Sequence, residues 1–184
     1  MKKFFLLLSF ILVLFSCQKR LKINKDFDCK AATFSNLETI TDMKNLFSVQ
    51  FPKNWKTNLY FDDGQSSIFG ADTTKQLTQT LLLDVSFIQK STIFDDTFKL
   101  NLERDNLAEK LIRIKAVNTK FKEKESYYSL SVGKKGTYSY KVLDYFIRVN
   151  NQNLLHIKSR IYGDSLVNER LCKGIQLIEK IKFN

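Results

Sequence analysis

The spacing of apolar residues along the chain runs from continuous, to absent, to every second residue, to every third or fourth. Phe4 to Phe15 is almost unbroken hydrocarbon behind a basic start at Lys2 and Lys3. From Gln18 to about Thr33 the chain is polar and lysine-rich without a period, which predicts a tether. Leu37, Ile40, Met43 and Lys44 fit a short helix before Leu46, although Thr39 and Thr41 are poor helix formers. In "LFSVQFPKNW", Phe47, Val49 and Phe51 alternate with Ser48 and Gln50, the pattern of a half-buried strand. Pro52, the only proline, cannot donate to a ladder and so ends that strand, leaving Trp55 to fold back on the core.

Asp62-Asp63-Gly64-Gln65 separates two short apolar segments, Leu59 to Phe61 and Ser67 to Ala71, and predicts a tight hairpin. In "TLLLDVSFIQ", Leu81, Leu83, Val85 and Phe87 share one face of a longer strand. After Asp95 and Asp96, Leu100, Leu107, Leu111 and Ile114 recur at helical spacing, predicting a helix to about Lys115 with one surface on a sheet. Lys120 to Val132 then reads as strand, Gly133 to Gly136 as its turn and Thr137 to Val149 as the return. Tyr138, Tyr140 and Val142 lie on even positions, whereas Leu143, Tyr145, Ile147 and Val149 lie on odd ones. That predicts a bulge or bend near Val142 unless both faces are covered. In Leu154 to Tyr162, Leu155, Ile157 and Ile161 point inward while His156, Lys158, Arg160 and Tyr162 alternate outward. Gly163-Asp164-Ser165 precedes a final helix carrying Val167, Leu171, Ile175 and Ile178. The fold class is α+β, an antiparallel sheet of about six strands flanked by helices.

The first apolar run is too short to span ~30 Å of hydrocarbon, which needs about 20 residues. Its basic start and its Leu14-Phe15-Ser16-Cys17 close read as a cleaved secretory signal. That close resembles the lipobox of bacterial lipoproteins. The resemblance implies removal of residues 1–16 and a thioether from Cys17 to diacylglycerol, making the membrane a partner through lipid. The location expected is the cell envelope, and Gln18, not being aspartate, leans towards the outer membrane facing the periplasm. Loss of Lys2 and Lys3 with the signal lowers the formal charge from +11 to +9. Such a charge favours anionic partners, an envelope protein or polymer, and in that compartment not nucleic acid. With Cys17 consumed by lipid, Cys29 and Cys172 remain as an even pair, expected to form a disulfide between the N-terminal arm and the last helix.

"FSVQFPKNW", the meandering strands, the mid-chain helix, the hairpin ending in "YFIRVNNQNLLHIKSRI" and the closing helix together resemble the PsbP-like domain. The resemblance covers residues 46–184, behind a 17–45 tether, and its sharpest element is Phe47, Pro52 and Trp55. It implies a sheet sandwiched between helices. In photosynthetic organisms members of this family are extrinsic subunits at the lumenal face of photosystem II, and many bacterial relatives are envelope lipoproteins.

Catalytic candidates are few. His156 is the only histidine, and with Lys158 and Arg160 on its strand face it reads as a surface residue rather than a metal ligand or triad member. Asp62-Asp63 and Asp95-Asp96 are accounted for by a turn and a helix start. No metal and no cofactor is expected, and the chain reads as a non-enzymatic docking domain. His156, Lys158, Arg160 and Tyr162 are its candidate partner-binding face, on which glutamate at 158 and 160 is expected to leave folding intact. The alternative is a ligand carrier or enzyme using a pocket between sheet and helix.

Overall fold

The computed structural model describes residues 21–30 and 34–184. The signal segment and Cys17 lie outside them. The described elements are α1 (Lys22–Asp26), β1 (Leu37–Thr41), β2 (Phe47–Pro52), β3 (Lys56–Phe61), β4 (Gln65–Ala71), β5 (Leu81–Gln89), α2 (Asp96–Ala108), β6 (Leu111–Phe121), β7 (Lys124–Lys135), β8 (Tyr138–Arg148), β9 (Asn153–Tyr162), α3 (Val167–Glu179) and β10 (Lys182–Phe183). Seven strands form one antiparallel sheet in the order β3-β4-β5-β9-β8-β7-β6, and β1-β2-β10 form a second.

One face of the large sheet is closed. The odd residues of β5, β8 and β9, Leu83, Val85, Leu143, Tyr145, Ile147, Leu155 and Ile157 among them, are buried against α3 and the small sheet. Their partners include Leu171, Ile175 and Ile178 of α3, at the spacing expected from the sequence, and Phe47, Val49 and Phe51 of β2. Two glycines permit the close approach. A Cβ on Gly70 would lie 2.6 Å from the Phe51 ring, and one on Gly174 would lie 2.9 Å from Ser159 Oγ. Trp55 stacks on Phe51 with ring centroids 5.6 Å apart, as its place after Pro52 implies.

Several expectations are corrected. The segment 37–41 is strand β1, not helix, because β-branched Thr39, Ile40 and Thr41 suit a pleated edge paired with β2. Asp42 organises the following turn, its carboxylate accepting from the Leu46 and Phe47 amides at 2.6 and 2.8 Å. The arm at 21–30 is docked rather than a tether: Ile23 and Cys29 are buried in the main core, and Cys29 is disulfide-bonded to Cys172. Gln176 Nε2 also donates to the Lys30 carbonyl at 2.6 Å.

Helix α2 begins as expected, with Asp95 Oδ1 accepting from the Phe98 amide at 2.8 Å. It stops at Ala108, and Leu111 and Ile114 belong to β6. The buried stripe differs too: Leu100 and Leu107 are 67% and 61% exposed, while Phe98 and Leu102 pack on Tyr127, Phe146 and Leu154. The β6–β7 turn is Lys122-Glu123, both at positive φ, and the next turn centres on Gly136, so Gly133 lies within β7. No register shift occurs in β8, because the two faces of that strand are both covered; the bulge lies in β6 between Arg113 and Lys115.

Candidate functional site

The second face of the large sheet is covered over only part of its width. Helix α2 lies across the β6–β7–β8 side, where Phe98 meets Phe146 edge-on at 5.1 Å between centroids and Tyr127 at 5.7 Å. Beyond it, β3, β4, β5 and β9 present a shallow polar trough. Its two adjoining depressions, 270 and 230 Å3, share Gln65 and Asp84; Tyr60, Ser67 and Phe69 line the first, and Ser86, His156, Lys158 and Arg160 the second.

Strand pairing assembles this site from distant sequence. Asp84 lies opposite Lys158 and Ser86 opposite His156 across β5–β9, while Asp144 lies opposite Lys158 across β8–β9. Asp144 is 1% exposed. His156 Nε2 donates to its Oδ1 at 2.7 Å, and the imidazole stacks on Phe146 with centroids 4.2 Å apart. A second chain of bonds runs along the trough: Gln65 Nε2 donates to Ser67 Oγ at 2.7 Å, Ser67 to Ser86 Oγ at 2.9 Å, and Ser86 to Asp84 Oδ1 at 3.2 Å. Ser86, the hydroxyl across from His156, thus donates to a carboxylate rather than to the ring.

The cations are held loosely. Lys158 Nζ stands 3.8 Å from Asp144 Oδ1 and 3.9 Å from Glu109 Oε1, and Arg160 stands 3.8 Å from Asp84 Oδ2. These separations exceed N–H···O bonding distance, so the pairs act through charge alone. Neither side chain makes a hydrogen bond to protein among the described residues.

The expected solvent-facing basic stripe is therefore a partly sunken, charge-compensated trough. Lys158 and Arg160 side chains are 22% and 26% exposed. His156 is not a plain surface residue, since Asp144 supplies the acidic partner missing from its own strand. Tyr162 is buried at the end of the face and stacks on Tyr140 with centroids 4.6 Å apart. Burial, reinforced by Tyr162, pushes the Tyr140 hydroxyl above the ordinary phenol range. Lys158→Glu would set a second carboxylate beside buried Asp144, so the expectation of an unaffected fold is withdrawn for that residue. The signal for Asp144 was one carboxylate in the otherwise apolar and aromatic run "VLDYFI".

A second concavity, 460 Å3, lies between α2 and edge strand β6, with Leu100, Ala116 and Tyr127 on its apolar side and Lys99, Glu103 and Arg113 on its charged side. Burial pushes the Tyr127 hydroxyl up, an effect Arg113 partly offsets. Arg113 is itself bound to Glu103 at 2.7 Å. Among the described residues no cluster of three or more His, Cys, Asp or Glu side chains is placed to hold a metal, and no helix is long and apolar enough to cross a membrane.

The solution structure of cyanobacterial PsbP (CyanoP) from Synechocystis sp. PCC 6803 superimposes on this sheet order and helix placement with a TM-score of 0.62, covering 85% of this chain and 97% of that one. The fold is PsbP-like. At 13% identity the likeness establishes the fold alone. A crystal structure from Bacteroides thetaiotaomicron VPI-5482 is also similar, with a TM-score of 0.53 and 11% identity over 82% of this chain and 49% of that one. No family model and no curated protein matches the sequence. The closed face includes Phe47, with Trp55 packed against it, two of the three residues that make the sharpest element of the sequence resemblance.

Proposed function

We propose that this protein is a lipid-anchored envelope lipoprotein whose PsbP-like domain docks a partner on the open trough without chemistry of its own. The observation that carries this reading is the state of Lys158 and Arg160. Both are positioned by strand pairing and restrained by acids at 3.8–3.9 Å, yet their N–H groups have no hydrogen-bonded protein acceptor among the described residues. A carboxylate-bearing partner supplies those acceptors, and charge-assisted bonds are about twice as strong as neutral ones. The trough is shallow and carries exposed Tyr60 of edge strand β3 and Phe69 of β4 along its rim. A cationic centre with an aromatic rim suits a protein surface better than an enclosed small molecule.

The anchor reading rests on the Lys2-Lys3 start, the Phe4–Phe15 run and the Leu-Phe-Ser-Cys close. Intact mass of the membrane-extracted protein is expected to show acylated Cys17 as the first residue; a free Cys17 thiol contradicts it. For the docking face, Lys158→Gln with Arg160→Gln removes both charges while leaving a donor beside Asp144. The folded double variant is expected to lose partner capture from crosslinked envelopes, together with the salt sensitivity of that capture. Unchanged capture with unchanged salt sensitivity contradicts the assignment.

The groove between α2 and β6 favours a second reading, a carrier for a small amphiphile, because apolar Leu100 and Tyr127 face charged Lys99 and Arg113 across it. Co-purification of a stoichiometric small molecule lost on Ala116→Trp would favour that reading over docking.

A further inference from the structure

The N-terminal arm enters the domain at a corner crowded with lysine. The Leu21 amide donates to Glu179 Oε1 at 3.2 Å, and Asn24 Nδ2 donates to the same oxygen at 2.5 Å, so the start of the arm is fixed at the C-terminal end of α3. The β6–β7 turn arrives at the same place. Lys122 Nζ donates to the Ile181 carbonyl at 2.8 Å, Phe121 packs edge-on to Phe183 at 6.3 Å, and Lys124 Nζ stands 5.4 Å from the Phe183 ring centre. Lys120, Lys122 and Lys182 are exposed there, and Lys22 adjoins Leu21 in the chain.

The nearby acids are largely engaged. Glu125 is paired with Arg148 at 2.8 Å, Glu179 accepts from the arm, and Glu123 stands 3.9 Å from Lys120 in a solvent-exposed pair that offsets little of the corner's charge. Burial, together with repulsion from Lys182, lowers the Lys122 ammonium below the ordinary lysine range. The turn that projects Lys122 holds it and Glu123 at positive φ, a conformation that L-residues adopt at a cost in strain.

Only Gln18, Lys19 and Arg20 separate Leu21 from Cys17, and such a segment reaches at most about 14 Å from one Cα to the other. A domain pinned at Leu21 cannot stand off from an anchor at Cys17 by the ~40 Å that a free arm to Cys29 would allow. An anchor at Cys17 would therefore hold this corner against the bilayer.

We propose that the corner formed by Lys120, Lys122, Lys182 and Lys22 binds anionic phospholipid headgroups, seating the domain in a fixed orientation on the membrane surface. This rests on the lipid-anchor reading for its orientation but on the corner's own charge for its affinity. Basic residues next to a surface anchor add attraction to anionic lipid, about fivefold in partition per residue, and the effect is screened by salt.

The test uses the full mature protein extracted from membranes, with its intact mass recorded first. Hydrogen exchange is then followed on phosphatidylcholine vesicles with and without phosphatidylglycerol. Amides of residues 120–125 and 180–184 are expected to gain protection on phosphatidylglycerol, to lose it at high salt, and to lose most of it in Lys122→Gln with Lys182→Gln. A Lys120→Gln with Lys182→Gln pair leaves the Lys122 bond to Ile181 in place and is expected to weaken binding similarly, so a folding defect in the first variant does not decide the result. An acylated protein whose corner is protected equally on both vesicles overturns the proposal and leaves the anchor reading standing. If the mass shows no acyl chains, the anchor reading fails, and co-sedimentation of the same protein decides the corner. Phosphatidylglycerol-dependent binding about tenfold or more above the double variant supports it, and equal binding overturns it.

Discussion

Strand β9 has two faces that obey different rules. Its odd residues Leu155, Ile157 and Ile161 enter a dry core beneath α3 and the small sheet, whereas its even residues His156, Lys158 and Arg160 line a polar trough. On the closed face the determinant is volume, since Gly70 and Gly174 are required only because a ring and a hydroxyl approach within 3 Å of where a Cβ would stand. On the open face it is charge placement: cations held by acids too far away to bond them. One side of the strand is optimised for being a solid, the other for receiving something.

The contrast breaks if substitutions on the two faces cost alike. The largest stability loss is expected from Cys29→Ser, because the Cys29–Cys172 bond closes a sequence separation of 143 residues. The chain-entropy model gives about 5 kcal/mol, read as a lower denaturation midpoint under oxidising conditions. Ile157→Ala on the closed face should cost about 3 kcal/mol by chemical denaturation, as expected when a buried aliphatic chain leaves a cavity. Asp144→Asn is expected to cost less, about 2 kcal/mol, by removing the charge that faces Lys158 while retaining an acceptor for His156. Arg160→Gln at the trough's edge should change stability by under about 0.5 kcal/mol yet weaken partner capture. If Arg160→Gln destabilises as much as Ile157→Ala, the open face is structural and the contrast fails.

What the sequence made legible follows the same division. Period-2 alternation found β2, β5 and β9 with their buried sides, and the spacing of Leu171, Ile175 and Ile178 found α3, because a dry face is written as a pattern of hydrophobicity. Cysteine parity after lipidation singled out Cys29 and Cys172. The missed features depend on neighbours that sequence does not place side by side. The start of β6 was merged with α2 because Leu111 and Ile114 fall at helical spacing and the chain leaves the helix at Lys110, a positive-φ residue that is neither Asn nor Gly; its end was merged with β7 because the Lys122-Glu123 turn is equally unannounced. The arm at 21–30 looked like a tether because its burial rests on a few contacts, Ile23, Cys29 and Asn24 on Glu179, within an otherwise polar stretch.

The trough was half legible. His156, Lys158 and Arg160 were readable on one strand face, but Asp84 and Asp144 lie on the flanking strands and convert an exposed basic stripe into a compensated one. Arg170 was missed altogether. Buried within α3, it donates to the carbonyls of Thr80 and Tyr162 at 2.9 and 2.8 Å and also to those of Gly163 and Ser165, tying the end of β9 to the helix start where no side-chain cap is present. Burial lowers its affinity for the proton relative to free arginine, an effect opposed by Asp164.

Site-specific photocrosslinking in the native envelope tests the docking assignment most directly, with p-benzoylphenylalanine placed at Phe69 in the trough or at Lys173 on the exposed side of α3. The expected result is one discrete adduct from position 69 whose yield falls with salt and with Arg160→Gln, and none from position 173. Equal adducts from both positions, or an adduct at 69 indifferent to salt and to Arg160, would contradict the assignment of the open face as the docking surface.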